Sequence, residues 1–107
     1  MEPLILLAWL FTGLLLLLVV VCIAAGRGAI PVNHLIGIRI PALKRSAAAW
    51  RAGHAAGVFP ALVALVVGLA FSLLGLVTNG AYWGSIVAFA GGVAWVFIRA
   101  TRAAKAS

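Results

Sequence analysis

This sequence predicts an all-α integral membrane protein with three transmembrane helices, and three observations carry the prediction. Long apolar runs cover most of the chain, the few charges are almost all basic, and those charges cluster between and after the runs. With 66% hydrophobic and 8% charged residues over 107 positions, a water-soluble fold has too little interior for its apolar surface. Lipid must act as its solvent. The whole chain, 1–107, reads as one membrane domain. The net charge of +7 sets eight Lys/Arg residues against Glu2 alone. A basic balance also suits nucleic acid, but that needs a folded basic face with polar or aromatic readers. Charges flanking apolar spans suit anionic lipid headgroups instead, so no nucleic-acid partner is expected.

The first span covers residues 4–25 and would be about 33 Å long as a helix, enough to cross the hydrocarbon core. A cleaved signal peptide begins with positive charge, whereas this start carries Glu2, and Val21 before Cys22 spoils a lipoprotein box. A retained helix is therefore expected. Rich in Leu and Val with Gly13 as its one glycine, it should face lipid broadly and contact other helices little. Cys22 has no disulfide partner and reads as a small packing residue.

Residues 26–57 form the only long stretch that is not plainly membrane-apolar, and they hold both histidines, His34 and His54. Gly26-Arg27-Gly28 ends the first helix. Pro31 and Pro41 then bracket a stiff apolar-basic piece, and Pro41 disfavours helix at Ile40, so Gly37-Ile38-Arg39-Ile40 should be extended or turn-like. An extended reading puts Ile36, Ile38 and Ile40 on one side, with Gly37 and Arg39 on the other. Ser46 is a candidate N-cap, without a full capping box because Ala49 stands where Glu would close it. Trp50, His54 and Gly57 share one face of the helix that follows. Trp50 reads most simply as an interfacial anchor.

The second span covers residues 58–77, continuous with the Ser46-capped helix and passing Pro60, which marks either a kink or a first turn. Ala61, Ala64, Gly68, Ser72 and Gly75 form a small-residue stripe along it. Thr78-Asn79-Gly80 is a tight turn into the third span, 81–98, whose own stripe is Gly84, Ala88 and Gly91, with Gly92 alongside. Two facing stripes joined by a short turn predict a close antiparallel hairpin. A basic tail, 99–107, follows. The charges lie in the 26–57 loop and the tail, and none lies in the turn. The positive-inside rule puts the loop and C-terminus in the cytoplasm, with the N-terminus outside.

Enzyme chemistry lacks its parts. The single carboxylate, Glu2, falls on the opposite side from the loop, and two histidines without a cysteine or carboxylate beside them make no metal site. No Gly-rich phosphate loop is present, and no Ser or Cys has a visible base partner. No cofactor, metal or catalytic residue is expected. Each histidine reads as an interfacial hydrogen-bonding residue, with a proton-sensing pair as the sharper alternative. Binding is the better prospect. Arg39 and Arg51 are suited to an anionic headgroup or a partner's carboxylate, while Lys44 and Arg45 read as topology and lipid charges.

The spaced residues Pro31, Asn33, Gly37, Ile38, Arg39, Pro41, Ser46, Trp50 and His54 resemble the pattern of the SdpI/YhfL family of small bacterial membrane proteins. The resemblance covers roughly residues 30–57, with generic apolar helices on either side. It implies a multi-pass protein of the bacterial cytoplasmic membrane, related to an immunity protein against a secreted peptide toxin. That protein also holds a transcriptional repressor at the membrane. The pattern makes Asn33, Gly37, Arg39, Pro41, Trp50 and His54 binding candidates beside Arg51, which its charge alone suggests, and the implied partner is a peptide or another membrane protein. Two departures stand out: Ile40 replaces a frequent Thr, and Ala48 and Ala49 replace common acidic residues. Those carboxylates would have been partners for the loop arginines. The family's immunity protein is also longer, with further spans. A role as accessory subunit of a larger membrane complex is the competing expectation.

Overall fold

The computed structural model describes residues 2–33 and 35–107, with Glu2 described for its main chain only. Four α-helices carry the fold: α1 (Glu2–Gly26), the short α2 (Pro41–Lys44), α3 (Ala47–Leu74) and α4 (Tyr82–Ala106). A single 3-10 turn, Asn79–Ala81, joins α3 to α4. No strand occurs among the described residues. Three helices are long and apolar enough to cross a membrane. The bundle measures 46 × 22 × 19 Å, and its long axis matches a bilayer of about 40–45 Å including headgroups.

Local chemistry sets the helix ends. Gly28 closes α1 from the left-handed region (φ 84°), with Ala29 N–H donating to the Ala24 carbonyl and Gly28 N–H to the Ala25 carbonyl. That pair of bonds is a Schellman motif, which satisfies carbonyls the helix leaves open. Pro41 sits at the first position of α2, where its fixed φ suits a helix start and Ile40 before it is extended (φ −88°, ψ 153°). This one-turn helix was not foreseen. Ser46 caps α3, its side-chain oxygen accepting from the Ala49 N–H at 3.0 Å. Pro60 lies inside continuous helix rather than in a first turn. α4 likewise continues through the basic tail as helix to Ala106.

The expected α3–α4 hairpin forms, and small residues set its spacing. A Cβ added at Gly92 would fall 2.3 Å from the Ala64 Cβ, and one at Gly84 would fall 2.3 Å from the Phe71 ring. Gly75 receives the Tyr82 ring equally closely, and Gly68 faces Leu15 with Ala88 behind it. Gly91 is different. It points outward with nothing within 4 Å, so Gly92 holds the packing position that spacing had assigned to Gly91. The α4 seam is Ser85, Gly92, Val96, Ala100 and Ala104, whose register leaves Gly91 on the far side.

α1 leaves most of its apolar surface exposed, as expected, but buries one stripe that the sequence did not single out. Ala8, Thr12, Leu15, Val19, Cys22 and Ala25 are buried at steps of three and four residues, a seam against the hairpin. Its polar member explains part of the docking. Thr12 Oγ1 donates to the Ala8 carbonyl at 2.8 Å and meets Ser72 Oγ at 2.8 Å. Ser72 Oγ meets Ser85 Oγ at 2.7 Å, and Ser85 Oγ reaches the Gly68 carbonyl at 2.9 Å. One hydroxyl from each long helix thus joins a buried chain, each such bond contributing about 0.6 kcal/mol in a membrane bundle. Phe11 stacks on Phe89 with centroids 4.4 Å apart, closing α1 onto α4. Gly13 lies outside this seam with open space at its Cα.

The glycine register makes a test. Gly92→Val drives methyls into Ala64 and should destabilise the bundle by about 1–3 kcal/mol, whereas Gly91→Val should stay within about 0.5 kcal/mol. Unfolding in mixed detergent micelles measures both, and equal effects would mean the register is wrong.

Candidate functional site

The candidate site is built where the 29–40 segment folds back between the ends of α1 and α3. α3 begins about three turns before the span proper, and that extension presents Trp50 and His54 inward. Trp50 is 1% exposed, so it is an interior pillar rather than the expected interfacial anchor. Its indole Nε1 donates to the Ile30 carbonyl at 2.8 Å, which draws the chain after α1 across the helix. His54 is fully buried beside it, with ring centroids 4.4 Å apart.

Both imidazole nitrogens are used. Nδ1 lies 2.8 Å from the Trp50 carbonyl, an acceptor, so Nδ1 carries the proton. Nε2 accepts the Ile38 N–H at 2.8 Å. His54 is therefore a neutral single tautomer that joins a helix carbonyl to a loop amide. Gly37 lets the loop come this close. Its φ of 117° suits glycine, and an added Cβ would fall 2.5 Å from the Trp50 ring and 3.1 Å from His54 Nε2. That left-handed residue also breaks the alternation expected for an extended segment. Ile38 is buried and Ile40 half-buried, but Ile36 turns outward.

Asn33 organises the preceding turn. Its Nδ2 donates to the Pro31 carbonyl at 2.7 Å and the Ile36 carbonyl at 3.0 Å. Its Oδ1 accepts from the Leu35 N–H at 2.8 Å and the Ile36 N–H at 2.7 Å. Asn side chains imitate a backbone turn in this way. Arg39 Nε donates to the Asn33 carbonyl at 3.2 Å, and its guanidinium is otherwise exposed. Arg51 is exposed on α3, its stem alongside Gly28. His34 lies outside the described residues, and so does the proton-sensing pair it was to form with His54.

The sequence-selected residues therefore divide into two sets. Asn33, Gly37, Pro41, Trp50 and His54 interlock to build the loop, while Arg39 and Arg51 face outward from it. The packing residues Gly68, Ser72, Gly75, Gly84 and Ala88 lie in the bundle well away from this loop. Arg45 has a role that its reading as a lipid charge missed. Its Nη2 donates to the main-chain oxygens of Ala104 and, at 2.9 Å, Ser107, capping the last turn of α4. No local signal marks this contact, because its partners lie 59 and 62 residues away. The Thr12–Ser72–Ser85 chain left a fainter trace, as the one Ser or Thr in each of three apolar runs.

Among the described residues no three His, Cys, Asp or Glu side chains come together, and every buried side-chain nitrogen or oxygen has a partner. What the arrangement offers is recognition at exposed arginines and apolar loop side chains. No protein-family model matches the chain, and neither does any curated protein or solved structure. The class is set by the fold itself: three apolar helices that fit a multi-pass membrane protein, closed at one end by a hydrogen-bonded loop.

Two tests follow from the loop geometry. His54→Phe keeps the bulk but leaves the Ile38 N–H without an acceptor, an expected cost of about 1–3 kcal/mol. Hydrogen exchange at the Ile38 amide should accelerate accordingly; unchanged protection would refute the bond. Arg45→Gln should fray the end of α4 at a cost of about 1 kcal/mol, with Lys44→Gln near neutral. Helical amide protection at residues 103–107 distinguishes the two.

Proposed function

We propose that this chain is a non-enzymatic, SdpI-like protein of the bacterial cytoplasmic membrane that gives immunity or resistance to a membrane-active peptide toxin, or signals envelope stress. One observation carries the reading. The residues that make up the resemblance, although spread over 24 positions from Pro31 to His54, meet one another as a single unit. Gly37 packs on Trp50, Ile38 bonds to His54, Arg39 bonds to Asn33, and Pro41 and Ser46 start the two helices that position them. A spacing pattern that arose by accident would have no reason to close on itself.

The orientation in this reading has the N-terminus outside and the loop and C-terminus in the cytoplasm. It is supported by the topology, which brings all eight basic residues to one end of the bundle: the end of α1, the start of α3 and the end of α4. Arg39 and Arg51 then face the cytoplasm, available to anionic lipid or to a partner's carboxylate.

An accessory subunit of a larger membrane complex is the second reading, and a specific feature favours it. Gly13 on α1 and Gly91 on α4 both face outward with open space, leaving flat places where another membrane helix can approach closely. The two readings separate experimentally. Deleting the protein should sensitise cells to membrane-active peptides, and complementation should require Trp50 and His54 but not Lys44. Unchanged sensitivity, together with a stoichiometric membrane partner in mild detergent, would replace immunity with the subunit role.

A further inference from the structure

α1 and α3 approach closely at the basic end, and small residues allow it. A Cβ added at Gly26 would fall 3.0 Å from the Ala55 main chain, and one at Gly57 would fall 3.2 Å from Cys22 Sγ. Beside this contact the two helices leave an open groove of about 390 Å³, lined by Cys22, Ile23, Gly26, Arg27, Ala55 and Val58. Arg27 is the one charged residue in that lining. Its N–H donates to the Ile23 carbonyl at 3.0 Å, so Arg27 continues the α1 spiral one turn beyond Ile23.

A second guanidinium belongs to the same mouth. Arg51 lies one turn before Ala55 and two before Val58 on one face of α3. Its Cδ lies 3.5 Å from where a Cβ at Gly28 would stand, which sets its stem beside the residue after Arg27. Both arginines are exposed. Arg39 and Arg45 donate to main-chain oxygens of their own chain, but among the described residues Arg27 and Arg51 have no side-chain hydrogen bond or ion pair. The one acid, Glu2, begins the opposite end of α1. Like charges brought to one mouth repel each other unless an anion lies between them.

Depth and polarity name the anion. The apolar run 4–25 of α1 is about 33 Å long and fills the hydrocarbon core, so Arg27 stands at the level of the phosphates. From Arg51 to Val58 the groove runs roughly 10 Å inward along α3. A ligand that meets both parts is negative at the mouth and apolar below it. A second copy of this chain has no acid to offer at this end. We infer that the groove between α1 and α3 binds one anionic phospholipid, its phosphate held between Arg27 and Arg51 and an acyl chain laid over Ile23 and Val58. The arginine fork matches phosphate oxygens in pairs, and the apolar walls keep the chain where a free phosphate would gain nothing. An immunity protein and an accessory subunit would both carry this lipid, so its failure leaves the choice between those roles untouched.

The test uses the whole chain, purified in mild detergent and titrated with phosphatidylglycerol or phosphatidylcholine under native mass spectrometry. A single phosphatidylglycerol should bind in preference to phosphatidylcholine. Arg27→Gln and Arg51→Gln should each weaken it about fivefold, the factor equivalent to the ~1 kcal/mol of one basic residue near a membrane surface. Arg102→Gln, which removes the same charge from α4, should leave it unchanged. Ala55→Phe fills the groove from an exposed position, keeps both arginines and should abolish binding. Its unfolding in mixed micelles is measured alongside, and the two exposed-arginine variants carry the test if that substitution loosens the bundle. Glycerol phosphate, a headgroup without acyl chains, should not compete in large excess. Equal weakening by all three arginine variants would mean diffuse charge and overturn the site. Displacement by glycerol phosphate, or a co-purified acidic peptide that phosphatidylglycerol does not displace, would overturn the lipid as its occupant.

Discussion

The Ile38 amide, bonded 2.8 Å from His54 Nε2, is the constraint on which the basic end of the molecule depends. A buried main-chain donor beside apolar helices needs a partner, because an orphan costs several kcal/mol away from water. His54 solves this for Ile38, but only in one tautomer and only if the loop comes within reach. That distance requires a residue without a Cβ at position 37 and a flat ring beneath it at position 50. It also requires α3 to begin early enough to carry both rings below the span. Ser46 and Pro41 set that start, so two capping residues far from the bond determine whether it forms.

The same bond transmits order into the bundle. Ile38 is buried near Gly57, which also faces Cys22 of α1 and Val96 of α4. All three long helices and the loop therefore meet at the level of one glycine. Farther along, the association passes to hydroxyls, with Thr12, Ser72 and Ser85 contributing one from each helix. Between lipid and protein interior there is little hydrophobic difference to drive helices together, so close approach and hydrogen bonding must do it. At the basic end, Arg45 holds the end of α4 against the α2 corner.

These contacts also limit what the loop does. Four of the residues that looked most like a binding motif, Asn33, Gly37, Trp50 and His54, have their polar groups or contact surfaces occupied within the chain. They shape a surface; Arg39, Arg51, Leu35 and Ile36 are what that surface offers to others. That surface combines positive charge with apolar bulk.

The three helices, the turn at Thr78–Gly80, the Ser46 cap and the closeness of α3 to α4 were all legible in the amino acids. Each follows from local rules: apolar length, a capping hydroxyl, a turn-forming pair, small residues at helical spacing. The choice of Gly92 over Gly91 was not, because neighbouring glycines differ by about 100° around the helix and only a packed partner shows which side faces inward. The α1 seam was hidden for a related reason: in a uniformly apolar helix, buried and lipid-facing positions carry the same residue types. Trp50 and Arg45 were misread because an interfacial anchor and an interior pillar look alike until the chain folds back over them. The sequence alone determined that this is a three-span, basic-ended membrane chain with an unusual loop. Only the tertiary structure decided that the loop is held by His54 and Trp50, since those partners are remote in sequence and neighbours only in space.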